Sequence, residues 1–151
     1  MPTIRNTTYD RLTIGQTASY SKHIGEREVA LFAAACGDLN PLHLDPGYAA
    51  TTEYGERIAH GMLTGALISA ALAMELPGPG TVFLGQSLRF RQPVRLGDEI
   101  TVHLEVTGKQ DRLRRVTLDC RAVNQHGKMV ASGTAEVMAP ADPAELECAE
   151  P

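Results

Sequence analysis

Cysteine is scarce and scattered in this chain. Cys36, Cys120 and Cys148 are odd in number, widely spaced and form no CxxC pair. Neither a disulfide framework nor a zinc site is suggested. The N-terminal stretch MPTIRNTTYDRL lacks a basic segment followed by an apolar one, so no secretory leader is expected. Long hydrophobic runs are also missing. The most apolar stretch, Met62 to Met74, is interrupted by Thr64, Gly65 and Ser69 and falls short of the roughly 20 residues that cross a bilayer. The net charge of −4 provides no global field that would draw in nucleic acid. These absences point to a soluble, cytoplasmic protein with no membrane and no nucleic-acid partner.

What is present suits one domain. The 151 residues are 43% apolar and 21% charged, ordinary values for a chain with one real core. Charge is uneven, however. Between Ser87 and Arg121 lie eight of the fourteen Lys/Arg residues, against five acids. This is either a solvated sheet face or a docking surface for an anionic group such as a nucleotide phosphate. The C-terminal PADPAELECAEP is acidic, rich in Pro and Ala, and without apolar periodicity. The expected organisation is one domain over residues 1–139 and a frayed tail over 140–151. The first dozen residues also read as loosely ordered.

Two helices stand out. In GEREVALFAAACG, Val29, Phe32, Ala33 and Cys36 follow helical spacing, and Gly37 occupies the place of a left-handed C-cap. HGMLTGALISAALAMELPGPG is apolar nearly all round, the pattern of a helix buried on most sides. Pro77 and the Gly-Pro-Gly run end it. A short strand is expected near Thr17 to Ser21, and another over LGQSLRFRQPV. The last third alternates as strands in EITVHLEVTG, RRVTLDCRAV and MVASGTAEVM. An antiparallel sheet wrapped on one buried helix is an α+β arrangement.

Between the helices lies GDLNPLHLDP. It sets Asp38 and His43 five residues apart in one turn. Pro41 fixes its own φ and biases Asn40 away from helix. Asp45 has the look of an N-cap, with Pro46 at the first helical position of a short helix through Tyr48 to Thr52. A stiff turn of this kind can aim both titratable side chains into one pocket. His23, His103 and His126 read as surface residues.

The run GDLNPLHLDPGYAATTEYGERIAHGML, the apolar helix after it, and LGQSLRFRQPVRLGDEI closely resemble the (R)-specific enoyl-CoA hydratases of the MaoC-like dehydratase family. The resemblance extends from about Ser21 to Met138. It implies a hot dog fold in which a long antiparallel sheet wraps the central helix Gly61 to Met74. It further implies a homodimer or higher oligomer with sheets paired edge to edge and active sites at the dimer interface. The implied reaction is reversible syn hydration of trans-2-enoyl-CoA to (3R)-3-hydroxyacyl-CoA. The family's catalytic aspartate and histidine fall on Asp38 and His43, its oxyanion-binding backbone N–H on Gly61, and its supporting serine on Ser69.

The chemistry asks for the same groups. Hydration needs a base for the attacking water, an acid for C2, and a donor for charge on the thioester oxygen. An Asp/His pair can hold one water and divide the first two roles. The dipole of a helix N-terminus suits the third. No metal or organic cofactor is required, and no cluster for one is evident. Asn40 and His60 are expected to line the substrate site. Leu72 and Val137 are candidate walls for the acyl tail, and Arg89 and Arg91, with Arg95 on the same face, are candidates for the phosphates of coenzyme A. Two rivals stand beside this reading. A hot dog acyl-CoA thioesterase places its carboxylate or amide on the central helix, where this chain offers only Glu75 near the C-terminal end. A non-catalytic acyl-thioester binding module would need no acid and base at all.

Overall fold

Alternation in the last third of the chain becomes a sheet because every second side chain has a helix to pack against. The computed structural model describes residues 1–151. In chain order the elements are β1 (Thr3–Arg5), β2 (Thr17–Ile24), α1 (Glu26–Cys36), α2 (Pro41–Leu44), α3 (Pro46–Ala50), α4 (Gly61–Met74), β3 (Val82–Phe90), β4 (Asp98–Gln110), β5 (Arg115–Val123), β6 (Met129–Met138) and β7 (Glu145–Glu147). Five strands form one antiparallel sheet in the order β2-β4-β5-β6-β3. Ile100, Val102, Leu104 and Val106 of β4, Val116, Leu118 and Cys120 of β5, and Ala135 and Val137 of β6 turn inward and are buried. Against them pack Leu63, Leu67, Ile68, Ala71 and Leu72 of α4. Burial of each large side chain is worth about 1.5–3 kcal/mol. The sheet around one central helix is the hot dog arrangement expected from the sequence.

The helix is not buried on all sides. Met62, Ala66, Ser69 and Ala73 recur at helical spacing and form an exposed stripe along α4. One sheet covers only one face of a helix, so a helix that is apolar all round keeps a second apolar face. The outer strand β3 shows the same surplus, with Val82, Phe83, Leu84 and Phe90 exposed. Where β3 meets β6, a Cβ at Gly133 would overlap the Ser87 carbonyl oxygen, so only glycine permits this approach.

The termini differ from expectation. Instead of fraying, residues 3–5 and 145–147 pair as antiparallel strands, with Thr3 opposite Glu147 and Arg5 opposite Glu145. The Asn6 amide donates to the carbonyls of Pro79 and Asp142 and accepts from Ala144 N–H. The buried Tyr9 hydroxyl donates to Asp111 at 2.7 Å. Burial, then this bond, pushes the phenol up to about 12. One asparagine and a backbone ladder order the tail, and neither leaves an apolar period in the sequence.

Candidate active site

α1 is started by the Glu28 carboxylate, which accepts from Gly25 N–H at 2.9 Å. It ends at Gly37, with φ +82° and an N–H bond to Ala33, as the sequence predicts. Val29 and Ala33 are buried, but Cys36 is exposed, because the helix ends where the core no longer covers that turn. The chain then enters the Asp38 loop. Asp38 Oδ1 accepts from Asn40 N–H at 3.2 Å, and Asn40 Oδ1 accepts from Leu42 N–H at 3.0 Å. Asn40 is thus the N-cap of α2, with Pro41 as first residue. The expected turn thus holds a short helix, and the helix expected after it follows directly. Asp45 caps the second by accepting from Gly47 and Tyr48.

α2 carries His43 inward, where it is buried. Its Nδ1 donates to the Ile58 carbonyl at 2.7 Å. In the neutral imidazole the Nε2 lone pair is therefore free, and it lies 3.8 Å from Asp38 Oδ2. That separation is too long for a direct hydrogen bond and leaves both groups able to share one small donor. The segment supplying Ile58 is itself tied down. Arg57 pairs with Glu26, Ala59 N–H donates to Val94 at 2.7 Å, and Arg95 donates to Tyr54 and Glu56. His60 stacks on His43 with centroids 3.9 Å apart and donates from Nε2 to the Asp38 carbonyl at 3.0 Å.

Gly61 begins α4, and its N–H donates to no carbonyl. It borders a cavity of about 340 Å³ whose walls include Tyr54, Thr64, Phe90 and Arg91. A Cβ on Gly61 would stand 3.4 Å from the Phe90 ring. The free N–H at a helix start is a fixed dipole aimed at a place where an oxygen can sit.

The remaining candidates are placed less closely together. Ser69 lies on the exposed stripe of α4 and makes no hydrogen bond within the chain. Leu72 and Val137 are buried in the core between α4 and the sheet. Arg89 projects from β3, and Arg91, the residue just past its end, donates to Ser132 at 3.1 Å. Arg95 does not share their face. β3 ends at Phe90, and Arg95 belongs to the following loop, where it pairs with Glu56 at 2.8 Å. His23, His103 and His126 are exposed.

Asp38, His43 and His60 each bring one potential metal-ligand atom within 4.8 Å of the others. The arrangement is a poor cage as it stands. Metal bonds of about 2.0–2.1 Å demand ligand atoms that converge on one point, and here the three ligand atoms lie up to 4.8 Å apart. One nitrogen of each ring is already engaged by a carbonyl.

A MaoC like domain matches residues 10–126. The chain belongs to the MaoC-like family. An (R)-specific enoyl-CoA hydratase of Aeromonas caviae is 47% identical over 129 residues, covering 85% of this chain and 96% of that protein. A 3-hydroxybutyryl-CoA dehydratase of Methylorubrum extorquens is 42% identical over 140 residues, covering 93% and 88%. Among solved structures, the R-hydratase PhaJ1 from Pseudomonas aeruginosa superposes with a TM-score of 0.95 at 54% identity, over 99% of this chain and 96% of that one.

In this MaoC-like chain, sequence reasoning missed the Ile58 carbonyl, the stack of His60 on His43 and the Phe90 wall. Only His60 carried a signal, since it directly precedes Gly61. Glu75, the residue a thioesterase reading would need, is exposed at the C-cap of α4. It stands a full helix length, about 21 Å, from Gly61.

Proposed function

We propose that this protein is an (R)-specific enoyl-CoA hydratase that reversibly adds water to trans-2-enoyl-CoA, giving (3R)-3-hydroxyacyl-CoA. The observation that carries the reading is the relation of His43 to Asp38. A bare Nε2 and a carboxylate oxygen lie 3.8 Å apart, with the far side of the imidazole anchored on Ile58. One water fits between them as donor to both. As its oxygen bonds to C3, His43 Nε2 takes the departing proton and Asp38 holds the other hydrogen. The C2–C3 π bond opens, and charge moves onto the thioester oxygen, which the Gly61 N–H receives. The protonated Nε2 then returns its proton to C2 from the same face, so the addition is syn. Every atom of the product comes from enoyl-CoA and one water, and each proton-transfer role is worth roughly 10²–10⁴-fold.

The working unit in this reading is a homodimer. The apolar stripe on α4 and the exposed Val82, Phe83 and Leu84 on the open edge of β3 are the surfaces a second copy covers by edge-to-edge pairing. Asp38, whose side chain is 51% exposed, is shielded from bulk water by that partner. Ser69 on the stripe makes no bond within its own chain and helps orient an aspartate only across that interface. Arg91, at the edge of the Gly61 cavity, and Arg89 beside it hold the phosphates of coenzyme A through charge-assisted bonds. Asn40 and His60 frame the reacting end, and Leu72 and Val137 limit the acyl tail.

The test is hydration of crotonyl-CoA, followed as loss of enoyl-thioester absorbance, with chiral analysis of the product. Formation of the (3R) alcohol supports the reading. An inert enzyme, or the (3S) product, overturns it.

A further inference from the structure

We propose that His60 is a positioning residue whose Nε2–H fixes the Asp38 main chain against the His43 ring. The proposal rests on the hydratase reading above. His60 is the N-cap residue of α4, yet its side chain makes no capping bond. Residues favoured at N-caps turn an oxygen back onto the first-turn N–H groups. An imidazole turned away leaves the Gly61 N–H open to a ligand.

The ring meets every element that carries an active group. One of its contacts is the stack on His43 of α2, at 3.9 Å and 28°. Another is Phe32 of α1, with centroids 5.0 Å apart and planes at 56°. Its Nε2 lies 3.0 Å from the Asp38 carbonyl, and its backbone leads into α4. The Asp38 carbonyl can only accept, so Nε2 carries the hydrogen. The other nitrogen, Nδ1, is then a bare acceptor, buried and without a partner.

A buried acceptor with no donor works against folding. A phenyl ring has nearly the same outline, keeps the stack and removes the orphan. Packing alone therefore gives no reason for an imidazole here. What only the imidazole offers is the Nε2–H bond to Asp38. That bond holds the backbone from which the carboxylate reaches toward His43 Nε2.

The experiment compares wild type, His60→Phe and His60→Gln as full-length enzyme. His60→Phe keeps the ring and loses the donor, whereas His60→Gln loses the ring and retains an N–H at similar reach. For His60→Phe we expect Tm within about 4 °C of wild type or higher. Its kcat on crotonyl-CoA should fall about 10–100-fold, the effect of a small misplacement of reacting groups, with KM unchanged within about twofold. His60→Gln should recover at least about threefold of that kcat. Hydrogen exchange at Leu39, Asn40 and Leu42 should quicken in the Phe variant and less in the Gln variant.

Wild-type kcat in His60→Phe would overturn the proposal. So would a raised KM at constant kcat, which would make His60 a substrate contact. Loss of folding in both variants, with exchange raised throughout the chain, would reduce His60 to a packing residue and also overturn it. An inactive wild type would instead remove the hydratase reading, and the exchange measurement would still decide whether the Nε2–H bond holds the Asp38 loop.

Discussion

The carbonyl of Ile58 accepts a hydrogen bond from His43 Nδ1 at 2.7 Å, across 15 residues of sequence. This contact fixes the imidazole tautomer and turns Nε2 toward Asp38. In the proposed mechanism, replacing either partner of the Asp38/His43 pair would remove a proton route without emptying the site. Asp38→Asn and His43→Gln should each lower kcat by about 10²–10⁴ with little change in KM. Steady-state kinetics on crotonyl-CoA checks this. A variant that retains more than about a tenth of wild-type kcat would show that its residue carries no proton.

Gly61 offers a sharper separation of folding from catalysis. An added Cβ meets the Phe90 ring only at ordinary contact distance, 3.4 Å, and alanine favours helix over glycine by up to about 1 kcal/mol. Gly61→Ala should fold at least as well as wild type. It should nevertheless lose kcat about tenfold or more, because a methyl group beside the free N–H keeps the thioester oxygen from the oxyanion position. Unchanged kcat in a variant of equal Tm would remove Gly61 from the chemistry.

Glu28 gives α1 a pH dependence of known sign. Bonds from its own backbone N–H and from that of Gly25 hold its carboxyl below the usual carboxylate range. Its contribution is therefore complete above the ordinary value of 4.5 and is lost as pH falls through the lower folded value. Glu28→Gln should cost about 0.3–1 kcal/mol near pH 7, the range for an exposed charge at a helix start. The difference from wild type should close in acid. Denaturation midpoints at the two pH values test this; a gap that widens in acid contradicts the assignment.

The parts of the site legible in the sequence are those built over a few residues. Gly37 as a left-handed cap, Asp45 before Pro46, and Asp38 with His43 beside Pro41 all express local chemistry, and each sits where its neighbours require it. α4 was legible because Met62 to Met74 is the most apolar stretch of the chain, broken only by Thr64, Gly65 and Ser69. The Ile58 carbonyl was not, since any residue supplies a carbonyl and only the fold chooses which. The contact between His60 and Asp38 spans 22 residues and has no period to reveal it. Arg95 was misplaced because alternation was carried past Phe90, where β3 ends. The paired termini escaped because Asn6 and a backbone ladder hold them, without an apolar face.

The contact between β3 and β6 should tolerate no side chain at position 133. The Cβ of Gly133→Ala would collide with the backbone oxygen of Ser87, and a strand backbone cannot yield as a flexible side chain can. The expected loss is about 1–3 kcal/mol or more, read as a lower Tm. Because β3 ends on Phe90 and leads directly into Arg91, KM for enoyl-CoA should rise as well. A variant of wild-type stability would show that β3 can shift freely.

Leu72 tests whether the core sets the acyl length. Its side chain is 2% exposed and packs between α4 and the sheet, on the same helix as Gly61 and about 16 Å further along its axis. Leu72→Ala should therefore have two effects. Lost packing should cost about 2–5 kcal/mol. The space opened should also accept longer tails, and each methylene buried there is worth about 0.8 kcal/mol, or roughly fourfold in kcat/KM. Enoyl chains of roughly eight carbons should gain relative to the four-carbon substrate, whose tail ends before that depth. Assays below the lowered Tm separate the two effects, since unfolding depresses every substrate alike. A chain-length profile identical to wild type, together with the stability loss, would show that Leu72 is core packing and that the tail takes another route.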